Sequence, residues 1–302
     1  MAVKLKEEIL RLKKERNAII LAHYYENDEV KDVADEVGDS FYLSKIAKNC
    51  SENTILFCGV KFMGESAKIL SPNKKVLMPL ETSLCPMADM IKASDIENLK
   101  KQHPKAKVVC YINSSALVKA VSEVCCTSSN AVKVVSKLDA EEVIFVPDKN
   151  LGSYVKERVK DKNIILWDGY CYVHNNLKAE KLLCLKNQFK DAKVLAHPEC
   201  NKEIRDLADF IGSTGGMLKF AKETNYHKYI VVTEVGIIYD LKKACPNKEF
   251  ISLDCMVCRD MKKTTLEDVY KALKEMKYEV NLNDDIIKRA NNSLENMLLL
   301  GR

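Results

Sequence analysis

Two hydrophobic patterns alternate along the chain. Short, wholly apolar runs end in a polar or aromatic residue, as in "AIILAHYY", "KVVCYINSS" and "KVLAHPEC". "TILFCGV", "EVIFVPD" and "YIVVTEV" are of the same kind. Such runs predict strands buried on both faces, the pattern of a parallel sheet covered by helices. Between them lie stretches with apolar residues every three to four positions: "KLKEEILRLKKERN", "SDIENLKKQHPKA", "KAEKLLCLKNQFKDA", "FYLSKIAKNC", "NAVKVVSKL" and "MLKFAKET". That spacing predicts amphipathic helices. "DVADEV", "LVKAVSEV" and "EIRDLADF" also read as helices, each following one of the first three runs. The alternation implies right-handed βαβ units and small parallel sheets.

The patterns repeat. His23, Tyr111 and His197 close equivalent strands at steps of 88 and 86 residues. Ser40, Ser128 and Thr214 each follow a short apolar piece, again at steps of 88 and 86. Leu56, Ile144 and Val231 lie inside plain strands at steps of 88 and 87. Cys85, Cys171 and Cys258 each follow a further strand, at steps of 86 and 87. Four landmarks with one period define an internal repeat. The expectation is an α/β protein of three pseudo-threefold-related α/β/α sandwich units, with small parallel sheets around a central cleft. The units are expected at 1–104, 105–190 and 191–302. The last carries two C-terminal helices, "TTLEDVYKALKEM" and "NDDIIKRANNSLENMLLL". No Gly/Ser linker separates the units, so they should pack tightly.

Composition narrows the class. The chain has 302 residues, 47% apolar content and a net charge of +5. Lys and Glu alternate along most helices, which reads as solvated faces rather than a nucleic-acid stripe. No apolar run approaches the roughly 20 residues of a membrane helix. The opening "MAVKLKEEILRLKKERN" is an amphipathic helix with acids inside it, not a signal peptide. The expectation is a cytoplasmic protein with neither nucleic acid nor membrane as partner. Twelve cysteines in a reducing compartment argue against a disulfide framework. Most sit in apolar runs, such as Cys58, Cys110 and Cys184, and read as buried packing.

Ligands of parallel α/β sheets collect beyond the carboxyl ends of the strands. Every landmark above falls at such an end, so three units facing one axis would bring them to one cavity. Ser40, Ser128 and Ser213–Thr214 precede helical stretches, where a hydroxyl caps the helix and free N–H groups attract anions. Of five histidines, His23, His174 and His197 lie at strand ends, where imidazoles bind carboxylates and move protons. Tyr25, Tyr111, Asn113 and Glu199 share those ends. One cysteine per unit gives three thiolates, suited to zinc or to an iron–sulfur cluster with one iron free of protein ligands. In the third unit both Cys255 and Cys258 are available. Glu81 precedes Cys85 by four residues, Asp168 precedes Cys171 by three and Asp254 precedes Cys258 by four, which favours Cys258.

"LAHYY", "GDS", "LCPMADM", "YINSS", "CTSSNAV", "PDKNLG", "GYCYVH", "HPEC", "GSTGGM", "TEVG" and "MVCRDMKKTTLEDV" stand in order from about residue 18 to 270. Together they resemble the quinolinate synthase A family of de novo NAD synthesis. The resemblance implies a 4Fe–4S cluster held by Cys85, Cys171 and Cys258 at the bottom of the cleft. It implies condensation of iminoaspartate with dihydroxyacetone phosphate to quinolinate, phosphate and water, with the open iron as a Lewis acid. It implies substrate contacts at His23, Ser40, Tyr111, Asn113, Ser128, His197, Ser213 and Thr214. Tyr25, His174 and Glu199 match positions of proton transfer, with Glu199 the general-base candidate. The family often has glutamine where this chain has Glu26, and the Cys255–Cys258 pair occurs in only some members. An aspartate oxidase or dehydrogenase is the expected source of iminoaspartate. The rival readings are a cluster-based sensor and a zinc hydrolase or zinc-binding scaffold. Against the sensor, no helix-turn-helix or basic patch is evident, and a sensor has no need of three histidines and three anion caps around its cluster; against zinc, no HExxH or CxxC…CxxC is present.

Overall fold

The computed structural model describes residues 2–301. The first unit runs α1 (Ala2–Glu15), β1 (Ala18–His23), α2 (Asp28–Lys31), β2 (Glu36–Gly38), α3 (Ser40–Asn49), β3 (Thr54–Cys58), α4 (Lys61–Leu70) and β4 (Lys75–Leu77). The second runs α5 (Ala93–Gln102), β5 (Lys107–Tyr111), α6 (Ala116–Ala120), β6 (Val124–Cys126), α7 (Ala131–Lys137), β7 (Glu142–Val146), α8 (Lys149–Lys156) and β8 (Asn163–Leu166). After the short α9 (Tyr172–Asn175) the third runs α10 (Ala179–Gln188), β9 (Lys193–Ala196), α11 (Lys202–Asp206), β10 (Phe210–Ile211), α12 (Thr214–Glu223), β11 (Lys228–Val232), α13 (Ile237–Ala244) and β12 (Glu249–Ser252). The chain ends with α14 (Leu266–Glu275) and α15 (Asp284–Leu300).

Three four-stranded sheets have one topology: β2-β1-β3-β4, β6-β5-β7-β8 and β10-β9-β11-β12. All their pairings are parallel. The central strands are buried along their length because helices cover both faces, and their sequences are accordingly continuous apolar runs. In each sheet the order reverses beside the first strand. The crevice between the carboxyl ends of the first and third strands is therefore a ligand site by topology.

Helix expectations fail in one place per unit. "DVADEV", "LVKAVSEV" and "EIRDLADF" are not continuous helices. Each starts in or near a short helix, turns, and ends at the edge strand β2, β6 or β10. The second strand follows the first by so few residues that a full helix has no room. The structure also adds α4, α8 and α13 between the third and fourth strands. The C-terminal helices follow the third unit in sequence but pack mainly elsewhere. Leu266, Val269, Ala272 and Leu273 of α14 share a core with Ile20, Ala22 and Leu56 of the first sheet. Ala290, Leu294, Met297 and Leu298 of α15 join the core common to the first two units. Buried cations tie the third unit in: Lys31 to Asp240 at 2.8 Å, and Arg205 to Glu157 at 2.8 Å.

Candidate active site

The carboxyl ends of the three sheets meet at one cavity. His23 ends β1 and Tyr25 follows it; Tyr111 ends β5 and Asn113 follows; His197 follows β9, with Glu199 two residues on. His174 comes from α9, and Ser40, Ser128 and Thr214 come from the segments after the edge strands. Cys85, Cys171 and Cys258 complete the lining. Of the substrate contacts expected from sequence, Ser213 lies outside it. Cys255 is exposed and lines an outer cleft instead.

One backbone device presents all three cysteines. The residue three past the end of each third strand donates its N–H to a carbonyl two residues before the cysteine. The pairs are Lys61 to Ser83 at 2.9 Å, Lys149 to Gly169 at 2.8 Å and Val235 to Met256 at 3.0 Å. A Cβ at Gly169 would collide with the Pro147 carbonyl, so glycine permits this approach in the second unit. Burial pushes the thiols up: Cys85 to about 12, Cys258 to about 11 and Cys171 well above its ordinary value. Glu81, Asp168 and Asp254 stand in the loops beyond the fourth strands rather than at their ends.

A chain of polar contacts crosses the cavity wall. Tyr25 Oη lies 2.7 Å from Thr233 Oγ1, Thr233 Oγ1 lies 2.9 Å from His174 Nε2, and His174 Nδ1 lies 2.8 Å from Glu199 Oε2. An ionised carboxylate can only accept, so His174 carries its proton on Nδ1. Thr233 Oγ1 joins the Tyr25 hydroxyl to His174 Nε2. Burial would raise Glu199, but the His174 and His197 imidazoles outweigh it and hold the carboxyl well below its usual range. Glu199 Oε1 is buried with no hydrogen-bond partner, as is Asn113 Oδ1. Burial and the neighbouring His197 lower His23 to about 3, and burial lowers His197 despite Glu199. Both rings are neutral near pH 7. The His23 Nδ1 accepts from the Tyr25 N–H at 3.2 Å, which leaves its Nε2–H free to donate. Burial and then the Glu199 charge push the Tyr25 and Tyr111 phenols well above their ordinary value.

The hydroxyl landmarks divide into two kinds. Ser213 caps α12, accepting from the Gly216 N–H at 3.1 Å, and donates to Asp39 at 3.2 Å. Ser40 does not cap α3. Asp39, one residue earlier, accepts the Tyr42 N–H at 3.0 Å. Ser128 sits in the turn before α7, whose cap position Asn130 accepts instead from the Thr127 N–H. Ser40, Ser128 and Thr214 thus face the cavity as a set, while capping is done elsewhere or not at all.

Sequence patterning does not single out Asp39, Asp148, Thr233 or Glu234. Asp148 and Glu234 fall at equivalent repeat positions, 86 residues apart, inside "EVIFVPD" and "YIVVTEV". The signal is present there. Thr233 has no polar equivalent, since Pro147 stands 86 residues before it.

Three sheets opening on one cavity, with half-buried thiols and an imidazole–carboxylate relay in its wall, define an α/β protein built for catalysis. The family described as quinolinate synthetase A protein (NadA) matches residues 7–299. The chain is 57% identical over 299 residues to the quinolinate synthase of Clostridium acetobutylicum, covering 99% of both. It is 55% identical over 291 residues to that of Clostridioides difficile, covering 96% of both. It is 51% identical over 298 residues to that of Caldicellulosiruptor bescii, covering 98% of both. The chain belongs to the quinolinate synthetase A family and is an enzyme. No helix among the described residues is long and apolar enough to cross a membrane.

Proposed function

We propose that this cavity condenses iminoaspartate with dihydroxyacetone phosphate, releasing quinolinate, phosphate and water. The observation that carries the reading is the convergence of one thiol from each unit with the Tyr25–Thr233–His174–Glu199 chain. Three half-buried thiols that desolvation keeps protonated fit a cationic group, whose charge supplies what their ionisation lacks. Cys85, Cys171 and Cys258 would hold a 4Fe–4S cluster. Bound there, it would supply Lewis acidity through an iron without a protein ligand.

The chain's own residues divide the remaining work. Ionised Glu199 takes a proton from the triose through Oε1, the acceptor with no partner. His174 and His197 stabilise the carboxylate, and Glu199 itself returns that proton to the substrate from Oε1. Tyr25 is the donor at the other end, its phenol kept protonated by burial. The neutral His23 ring offers an N–H to a substrate carboxylate, and the Ser40, Ser128 and Thr214 hydroxyls offer donors from three directions. The half-buried cysteines and the apolar Phe62, Met63 and Met87 exclude water from the reacting centre.

A single metal ion is the second reading. Ligand atoms of Cys171, His174 and Glu199 lie within 4.8 Å of one another. Anaerobic reconstitution with iron and sulfide separates the two. The proposal expects matched iron and sulfide, a broad thiolate-to-iron absorbance, and quinolinate formed from iminoaspartate generated in the assay. Zinc without sulfide would favour the second reading. Full cluster without quinolinate would remove the reaction assigned here.

A further inference from the structure

We infer that Asp148 and Glu234 are positioning residues for two of the three cysteines, fixing how firmly the group those cysteines hold is retained. This rests on the cluster reading above. The Cys171 N–H donates to Asp148 Oδ2 at 3.3 Å, and the Cys258 N–H donates to Glu234 Oε1 at 3.2 Å. The two acids occupy equivalent places in the repeat, just after the third strand of their sheets. Both are fully buried. Each has one oxygen on a cysteine and the other on the following segment: Asp148 Oδ1 accepts from the Leu151 N–H at 2.8 Å, and Glu234 Oε2 from the Gly236 N–H at 2.7 Å.

The first unit shows what these acids are not for. Its equivalent position, 88 residues before Asp148, is Val60. The Cys85 loop there is tied by the Lys61 to Ser83 backbone bond that all three units share in kind, and by Lys263 Nζ donating to the Thr82 carbonyl at 2.9 Å. The loop therefore closes without a carboxylate. A buried carboxylate carries a desolvation cost that a loop of this kind does not require. Its effect falls on the cysteine: the peptide N–H is held and the thiol's direction with it, as outer partners orient metal ligands.

The test uses the full chain reconstituted anaerobically with iron and sulfide. Asp148→Ala and Glu234→Ala should lose iron to a chelator about 10–100-fold faster than the parent. Asp148→Asn and Glu234→Gln keep one acceptor oxygen of the two and should lose iron at a rate between the parent and the alanine variants. Asn283→Ala removes the cap of α15, which accepts from the Asp285 N–H, and should lower melting temperature without hastening iron loss. Parent-like iron loss in both alanine variants overturns the inference. So does equal iron loss from Asn283→Ala. If an alanine variant fails to fold, Asp148→Glu or Glu234→Asp, which displaces the acceptor by one methylene, takes its place, with faster iron loss expected and parent-like loss overturning the inference. A parent chain that assembles no cluster removes the cofactor reading and this inference together. A full parent cluster with indifferent variants removes this inference alone.

Discussion

His174 Nδ1 stands 2.8 Å from Glu199 Oε2, and burial leaves both side chains almost without solvent. The pair joins α9 of the second cysteine's loop to the end of β9 in the third sheet. Neither residue could adopt its state alone. The carboxylate stays ionised because two imidazoles face it, and the imidazole keeps its Nδ1 proton because the carboxylate can only accept.

Glu199→Gln keeps the shape and removes the base. The variant should assemble its cluster fully, while quinolinate formation falls by roughly two to four orders of magnitude, the usual share of general acid–base catalysis. Near-parent turnover at full cluster content would move the role to Tyr25, His174 or His197.

Thr233→Val cuts the link between Tyr25 and His174 at nearly constant volume. It leaves His174 Nε2 and the Tyr25 hydroxyl unmet, at a cost of about 1–3 kcal/mol in stability. Turnover should fall, Thr233→Ser should restore it, and Tyr25→Phe added to Thr233→Val should cost less than the sum of the single changes. Additive losses in that cycle would show that the threonine merely packs.

Alanine at Cys85, Cys171 or Cys258 should abolish the cluster. Alanine at Cys58, Cys110, Cys184, Cys200 or Cys255 should leave iron and sulfide content at parent levels. The geometry behind this is that only the first three line the cavity. Cys258→Ala protein with a full cluster, beside Cys255→Ala protein without one, would reverse the third ligand.

Ser213 and Thr214 should separate by experiment. Ser213→Ala removes the α12 cap and should cost about 1 kcal/mol in stability. Thr214→Val removes a cavity hydroxyl and should weaken a dicarboxylate inhibitor by about 1–3 kcal/mol, the scale of hydrogen bonds to charged groups. Inhibitor binding that responds only to Ser213→Ala would invert the assignment.

The repeat makes most of this site legible. A strand end is a position that sequence periodicity marks well, so His23, Tyr111, His197 and the three cysteines fall together on the repeat alone. Caps are less legible, because Asp39 and Ser40 are adjacent and either can end a turn. The short edge strands pass for helix because Val37, Val124 and Phe210 continue an apparent helical spacing for one step too many. Thr233 leaves no trace, since its role depends on contacts with Tyr25 and His174, which only folding creates. The packing of α14 and α15 on the first two units is equally non-local.

Glu26 makes the last prediction one about pH. Its side chain is fully buried, Oε2 has no partner and the nearest donor to Oε1 is the Thr264 hydroxyl at 3.4 Å. Burial pushes its carboxyl up to about 8, even with Lys262 pulling the other way. In the unfolded chain the same carboxyl ionises near 4.5. Between those values the folded state binds the extra proton, so stability is full below about 4.5 and is lost as pH rises toward 8. Each pH unit separating the two values is worth about 1.4 kcal/mol, so the loss is of the order of a few kcal/mol. His23 acts in the opposite sense. Its buried ring titrates near 3 against an ordinary 6.5, so its contribution is lost as pH falls below 6.5. Above pH 6.5 the Glu26 slope stands without that opposition. Glu26→Gln keeps the shape and cannot ionise. Between pH 6.5 and 8 the parent's melting temperature should fall more steeply than the variant's, with the two closest at the acid end. Parallel melting curves across that interval would mean that Glu26 is already ionised in the fold, held by Lys262, and that burial does not govern it.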